Sequence, residues 1–212
     1  NSAFLSWEAV YRTQVKKDAV DLREIPSIIG GDEKQRHGIV LAKSIPAKRF
    51  GVRTGEPIRD ALAKCPELVV CPPCYPLYDR CSKAMRREFE VYSPTIEKYS
   101  VDECFIDMTE TMRLFGDPVE TAYELKDKIK SKLGFTVNIG VAPNKLLAKM
   151  ASDFEKPDRV HTLFYEEIPK KMWPLPVENL FFVGRATRKK LYNLGIFTIG
   201  QLAQFDLELL KL

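Results

Sequence analysis

Two adjacent carboxylates, Asp102 and Glu103, stand between short apolar segments. Adjacent residues on a regular strand point to opposite faces, so both side chains can share a ligand only at a strand end or a tight bend. The flanking segments 99–100 and 104–106 fit a hairpin whose bend carries the pair. Carboxylate oxygens suit Mg²⁺, which takes one or two of them and completes its shell with water and phosphate. Solvated charges in a surface turn are the alternative.

A second kind of chemistry could come from five cysteines: Cys65, Cys71, Cys74, Cys81 and Cys104. An odd number of cysteines in a chain without secretory features argues against a disulfide framework. The Cys71–Cys74 spacing is compatible with a zinc knuckle, but the outer spacings are irregular and His37 and His161 are remote in sequence. A thioredoxin-like site would need a strand before the pair and a helix directly after it. We expect reduced thiols.

Length and composition are those of an ordinary globular chain. Its 212 residues are 45% hydrophobic and 29% charged, enough for one large domain or two to three small ones. No apolar run approaches the ~20 residues of a membrane span, and the first residues lack the basic and apolar regions of a signal peptide. We therefore expect a cytoplasmic location and no membrane partner. The net charge of +4 matters only where cations cluster.

Hydrophobic spacing predicts an α+β fold. A helix should begin at Phe4, and apolar residues three to four apart predict longer helices over 75–91 and 122–133, the second ended by Gly134. Short β-branched runs predict strands at 38–42 and 137–141. This order of strands and helices suggests a sheet layered with helices.

The C-terminal part of the chain changes character at three prolines, Pro169, Pro174 and Pro176. They predict a linker into a small helical module that begins near Val177. Within the module, a glycine turn at 183–187 leads into a helix that Gly195 closes. The sequence stops inside what resembles another helix, so we do not expect Leu212 to be a natural terminus.

Four segments match, in order, the motifs of one enzyme family. Residues 100–107 (SVDECFID) resemble the palm signature S-[IV]-D-E-x-[FY]-[LI]-D of the Y-family DNA polymerases. Residues 1–8 (NSAFLSWE) resemble the end of their opening motif, and residues 47–55 (AKRFGVRTG) resemble their fingers motif. Residues 140–153 (GVAPNKLLAKMASD) resemble their palm helix motif. The resemblance covers essentially the whole chain.

The resemblance implies a palm sheet layered with helices, a small fingers domain and a helix-hairpin-helix thumb. It places the start of the palm and the fingers at 1–75, the palm at 76–165 and the thumb at 166–212. The implied reaction is translesion DNA synthesis, a phosphoryl transfer from a dNTP to a primer 3′-hydroxyl with two Mg²⁺ ions. Asp102 would bridge the ions and Glu103 would bind the catalytic one. A further aspartate is expected two residues upstream of Asn1.

The same motifs imply substrate-binding residues. Lys48, Arg49 and Lys149 would offset the charge of the triphosphate. The family usually has Tyr and Arg where this chain has Ile45 and Lys48, and lysine lacks the bidentate fork of arginine. Phe4 aligns with the family's steric gate, a ring that would collide with a ribose 2′-hydroxyl. A core position in the first helix is the alternative for Phe4.

Residues 182–187 (FVGRAT) resemble the hairpin of a helix-hairpin-helix. Backbone amides in such a turn, here at Gly184, bind DNA phosphate without reading sequence. Positive charge would come from the residues that follow: Arg185, Arg188, Lys189 and Lys190. The implied partners are primer–template DNA and dNTP, with a sliding clamp reached through a further C-terminal region. The family's additional DNA-binding domain after the thumb has no counterpart in residues 1–212.

Other functions stay open. A catalytically inactive DNA-binding scaffold of the same fold is favoured if the protein lacks the upstream aspartate. A nucleotidyl cyclase or related palm-domain enzyme would use the same two-metal chemistry but would not need a hairpin that holds a duplex. A P-loop enzyme is disfavoured because the sequence has no G-x-x-x-x-G-K-[ST].

Overall fold

A computed structural model describes residues 3–31 and 38–210. Asn1, Leu212 and His37 lie outside the described residues. The chain divides into two compact units, one formed by Asn1–Asp107 and Ser131–Phe135 and the other by Met108–Lys130 and Thr136–Leu212. Among the described residues, no helix is both long enough and apolar enough to cross a membrane. The palm, fingers and thumb boundaries that the motifs imply stay predictions.

The first unit contains a three-stranded sheet in the order β2-β1-β3. Strand β1 (Ser27–Gly30) pairs antiparallel with β2 (Val40–Lys43) and parallel with β3 (Val69–Cys71). A separate antiparallel hairpin joins β4 (Ile96–Lys98) to β5 (Cys104–Ile106). The helices of this unit are α1 (Ala3–Val10), continued by a π-helical turn (Tyr11–Val15), α2 (Ile45–Arg49), α3 (Ile58–Lys64) and α4 (Tyr75–Glu90).

A small apolar core holds β1, β2, α2 and α3 together. Ile28 and Val40 of the two strands are fully buried against Ala47 of α2 and Ile58 of α3. Strand β2 alternates between buried and half-buried residues, so one face of it packs on this core. The other face carries Leu41 and Lys43.

The second unit pairs β6 (Ile139–Val141) with β7 (Val160–Thr162) in parallel. Its helices are α5 (Met112–Phe115), α6 (Pro118–Leu133, whose last residues join the first unit), α7 (Lys145–Ser152), α8 (Ile168–Lys171), α9 (Arg185–Asn193), α10 (Ile199–Ala203) and α11 (Leu207–Leu210). Gly140 allows β6 to approach α7 closely, because a Cβ there would overlap the carbonyl oxygen of Ala148 and lie 2.7 Å from the Ser152 amide nitrogen. This contact explains the glycine of the palm helix motif.

Most predicted elements are confirmed, including the helices near the N-terminus and over 75–91 and 122–133 and the strands at 38–42 and 137–141. The predicted proline linker is wrong. Pro169 lies in the first turn of α8, where proline is tolerated because its missing N–H would have no helical partner. Met172 and Trp173 then pack with Leu147 and Ile199 in the core of the second unit.

Candidate functional site

Asp102 and Glu103 lie in the turn between β4 and β5, so the predicted hairpin is confirmed. The amides of Tyr99 and Ser100 both donate to the carbonyl oxygen of Glu103, each at 3.0 Å. The Ser100 hydroxyl donates to Asp102 Oδ1 at 2.9 Å. Both acidic residues are half-buried. The turn therefore holds two carboxylates at a strand end, where they are not forced to opposite faces of a sheet.

The base of the hairpin is fixed by hydrogen bonds at its open end. The Asp107 amide donates to the Thr95 carbonyl oxygen at 3.0 Å, and the Ser93 hydroxyl donates to the Asp107 carbonyl oxygen at 2.5 Å. Next to the acidic pair, burial raises the pKa of Cys104 to about 11, against the opposing effect of the Arg86 charge. The Cys104 thiol therefore stays protonated near neutral pH. The carboxylate oxygens of Asp102 and Glu103, and not this thiol, are therefore the candidate metal ligands of the turn.

The donor set of the turn fits Mg²⁺ better than zinc. Mg²⁺ is commonly held by one or two carboxylates, with water and phosphate completing its octahedron, and Asp102 and Glu103 supply two. All five cysteines are free thiols, and Cys65 and Cys71 are buried. Over residues 3–31 and 38–210, no group of three or more His, Cys, Asp or Glu side chains could hold a metal ion. The described residues thus give no support to a zinc knuckle.

Helix α2 presents the cations of the fingers motif. Ser44 begins the helix by accepting a hydrogen bond from the Ala47 amide at 3.1 Å. Because Ala47 is fully buried, the following Lys48 and Arg49 at the helix end are left exposed. Gly51, with φ +79°, supplies the left-handed residue that ends the segment. Ile45, at the position where the family usually has tyrosine, is exposed.

The motifs do not point to Lys43, but the structure places it beside Lys48. Burial and the positive charge of Lys48 both lower the pKa of Lys43, and Glu56 only partly opposes them. Lys43 Nζ lies 3.2 Å from Thr54 Oγ1. The positive charges of the two lysines therefore act on each other. The alternation of β2 is the signal that could have revealed it, since it turns Lys43 away from the buried face that carries Ala42.

Phe4 lies at the edge of an aromatic cluster and is half-buried. Its ring stacks on Tyr78, with centroids 4.4 Å apart and planes 11° from parallel. It also meets Tyr75 edge-on, with centroids 6.2 Å apart. Tyr78 is 1% exposed, and burial raises its pKa to about 12. Phe4 thus has one face on a buried ring while part of it remains accessible, and its role as a gate stays a prediction.

Lys149 occupies a different environment from the lysines of the first unit. Its Nζ lies 3.2 Å from Asp153 Oδ2 and 5.8 Å from the ring centroid of Phe181. Burial disfavours the Asp153 carboxylate, but Lys156 and Lys149 outweigh it and lower the pKa of Asp153. Lys149 therefore already carries a counter-charge, which a phosphate would have to share or displace.

The helix-hairpin-helix segment has its own small core. Val177, Leu191 and Ile196 are buried together, with Val183 packed against them. Gly184 precedes α9 in an extended conformation. The cations predicted to bind DNA are all exposed: Arg185, Arg188, Lys189 and Lys190. Arg188 lies 5.9 Å from the ring centroid of Tyr192, whose hydroxyl donates to Glu178 at 2.8 Å.

The predicted site residues are thus distributed over both units. Phe4, the fingers cations and the acidic turn belong to the first unit, and Lys149 and the helix-hairpin-helix belong to the second. The fold is the mixed α+β core of the Y-family polymerases, with a helix-hairpin-helix motif. Residues 1–153 match the model of the impB/mucB/samB family, and residues 165–196 match the model described as the IMS family HHH motif. The chain belongs to the impB/mucB/samB family of Y-family DNA polymerases.

Several relatives of this chain are named DNA polymerase IV. DNA polymerase IV of Clostridium acetobutylicum is 52% identical over 211 residues, which cover 100% of this chain and 53% of the relative. DNA polymerase IV of Acetivibrio thermocellus is 42% identical over 210 residues, covering 99% of this chain and 51% of the relative. The chain therefore spans about half the length of these curated relatives.

Solved structures give the same fold. A crystal structure of DinB from Sulfolobus solfataricus superimposes with a TM-score of 0.84 at 24% identity, covering 99% of this chain and 60% of that chain. A post-insertion binary complex of Dbh DNA polymerase superimposes with a TM-score of 0.82 at 27% identity, covering 100% of this chain and 60% of that chain.

Proposed function

We propose that this chain forms the catalytic part of a translesion DNA polymerase that transfers a nucleotide from dNTP to a primer 3′-hydroxyl under the direction of a template. The observation that carries the proposal is the Asp102-Glu103 turn, held at a strand end in a chain 52% identical to a DNA polymerase IV. The relatives' names and the fold support the class of reaction.

Asp102 and Glu103 would hold two Mg²⁺ ions together with an aspartate expected upstream of Asn1. When bound, the ions would activate the attacking 3′-oxygen and stabilise the leaving pyrophosphate. The chain's own contribution is to keep the two carboxylates oriented, since the hydrogen bond from Ser100 to Asp102 and the two amides on the Glu103 carbonyl fix the turn.

Lys48, Arg49 and Lys43 would bind the triphosphate. Lys43 and Lys48 repel each other in the free protein, so a phosphate placed beside them would relieve the repulsion as well as gain attraction. Their charges would offset the negative charge that builds on the leaving group. Lys149 is a weaker candidate, because Asp153 already compensates its charge.

Phe4 would lie beneath the sugar and exclude a 2′-hydroxyl, with Tyr78 holding the plane of its ring. The exposed cations Arg185, Arg188, Lys189 and Lys190 and the backbone of Gly184 would bind DNA phosphates. Such contacts hold a duplex of any sequence, as a polymerase requires.

Primer extension tests the proposal. The full-length protein with Mg²⁺ should extend a primer on its template, whereas Asp102→Asn and Glu103→Gln should lose about 10²-fold or more in kcat. Glu97→Gln is the matched control, because Glu97 lies on β4 of the same hairpin outside the turn. Equal loss in all three variants would contradict the assignment of the turn. Duplex binding without extension by the unmodified protein would instead favour the inactive scaffold.

A further inference from the structure

Phe182, in the hairpin before α9, combines two unfavourable features: an exposed apolar side chain and a left-handed backbone conformation. It is 81% exposed, although it is one of the largest apolar side chains. The ring contact of Phe182 in the described chain is with its neighbour Phe181, with centroids 4.1 Å apart and the ring planes tilted by 43°. Phe181 is half-buried and packs on the core of the second unit. Packing within the unit therefore accounts for Phe181 but not for Phe182.

The backbone of Phe182 is also in an unusual conformation. Its φ is +72°, in the left-handed region that residues with a side chain rarely adopt. The Val183 amide donates to the Leu180 carbonyl oxygen at 2.9 Å, so Phe182 is the third residue of a β-turn. A β-turn with positive φ at that position favours glycine or asparagine. The hairpin would thus form more readily with glycine, and the chain nevertheless places a phenylalanine there.

The surroundings of Phe182 favour an anionic partner. Gly184 follows two residues later, and the cations of α9 begin at Arg185. In the described part of the chain, no carboxylate forms an ion pair with Arg185, Lys189 or Lys190, and the Glu178 carboxylate acts on Arg188. A partner that covers both the ring and these charges needs apolar faces next to negative groups. The sugar–phosphate backbone of DNA has both, whereas the core of a protein interface is usually depleted of charge.

We propose that the Phe182 ring is a DNA contact that packs on the apolar face of a deoxyribose, beside the phosphate bound at the Gly184 turn. The inference rests on the proposed function, which supplies the duplex. The exposed ring and the left-handed backbone then have a common explanation, because the turn presents the ring to the duplex.

Fluorescence anisotropy with a labelled primer–template tests this contact in the full-length protein. Phe182→Gly removes the ring and suits the turn, so it should keep the melting temperature of the parent or raise it. We expect its Kd to rise about tenfold, the factor that 1.4 kcal/mol corresponds to. The rise should be equal at every salt concentration, because an apolar contact releases no counterions. Leu114→Ala, at a residue 79% exposed in the same unit, should leave Kd unchanged.

Each outcome of this experiment decides a different point. A Phe182→Gly variant that binds the duplex like its parent would overturn the contact while leaving the proposed function in place. A parent protein that fails to bind the duplex at all would refute the proposed function itself. Phe182→Asn, also compatible with a left-handed turn, guards against an effect of glycine alone. Unfolding of both variants would overturn the proposal, because the ring would then be structural.

Discussion

Replacing Phe4 by alanine separates a steric gate from a core residue. Replacing a fully buried phenylalanine by alanine lowers the free energy of unfolding by about 3–5 kcal/mol. Phe4 is half-buried, which reduces that cost to roughly 2 kcal/mol, and loss of the stack on Tyr78 adds about 0.5–1.5 kcal/mol. We therefore expect Phe4→Ala to lower the free energy of unfolding by about 2.5–3.5 kcal/mol, measured by urea denaturation.

A steric gate at Phe4 also predicts a change in sugar selectivity, which a loss of stability alone cannot produce. If Phe4 is the gate, a ring held flat against Tyr78 would not yield to a 2′-hydroxyl and would reject ribonucleotides by overlap. In the full-length protein, Phe4→Ala should raise the ratio of kcat/KM for ribonucleotides to that for deoxyribonucleotides. Phe4→Leu should show the same shift at a smaller cost in stability, since it retains more apolar volume.

One result would refute this reasoning. If both variants lose stability as expected while the ratio of kcat/KM values stays at that of the parent, Phe4 is a core residue only. Phe50→Ala is a suitable control, because Phe50 is an exposed ring at the end of α2. The control should change neither the sugar selectivity nor, by more than about 0.5 kcal/mol, the stability.

The remaining predictions concern charges. Lys43→Met should raise the KM for dNTP about threefold to tenfold in steady-state extension and leave the Kd for duplex unchanged; an unaltered KM would remove Lys43 from the phosphate site. Reversing three charges of α9, by Arg185→Glu, Arg188→Glu and Lys190→Glu, should weaken binding to all DNA sequences alike and flatten its salt dependence. A loss of binding confined to some sequences would contradict a phosphate-only role. Burial disfavours the Asp158 carboxylate, but hydrogen bonds from Lys130 and Lys126 outweigh it and lower the pKa of Asp158. Ionised Asp158 therefore stabilises the fold above its unfolded pKa of about 4, so Asp158→Asn should cost about 1 kcal/mol at pH 7. In thermal unfolding this difference should vanish as the pH falls through the lowered pKa; a difference that persists in acid would contradict the ion-pair explanation.

The elements with strong periodicity were predictable from the sequence. Helices α4 and α6 bury residues three to four positions apart, and the acidic pair could share a ligand only at a bend, which is where the hairpin places it. The α8 segment was not predictable as a helix, because its proline is compatible with either a linker or a first turn. Only the packing of Met172 decides between them.

The candidate site was predictable where a motif fixes the residue and not where three-dimensional proximity does. Lys48 and Arg49 belong to a motif, whereas Lys43 becomes relevant only because β2 and α2 bring its ammonium group near that of Lys48. Nothing in the local sequence predicted the left-handed conformation of Phe182. A phenylalanine is an unfavourable choice for a left-handed turn position, so propensity would have predicted another conformation there.

The distribution of ion pairs explains how a chain of small net charge could hold a polyanion. Several cations serve the fold: Lys126 and Lys130 bind Asp158, Lys132 binds Glu88, and Lys149 binds Asp153. Their charges are compensated before any ligand arrives. Lys48, Arg49 and the cations of α9 are exposed instead, and within residues 3–31 and 38–210 no carboxylate forms a salt bridge with Lys48 or Arg49. Attraction for phosphate depends on such uncompensated local charge rather than on the sum of +4, because a neighbouring carboxylate cancels a lysine at short range while distant charges are screened within about 10 Å.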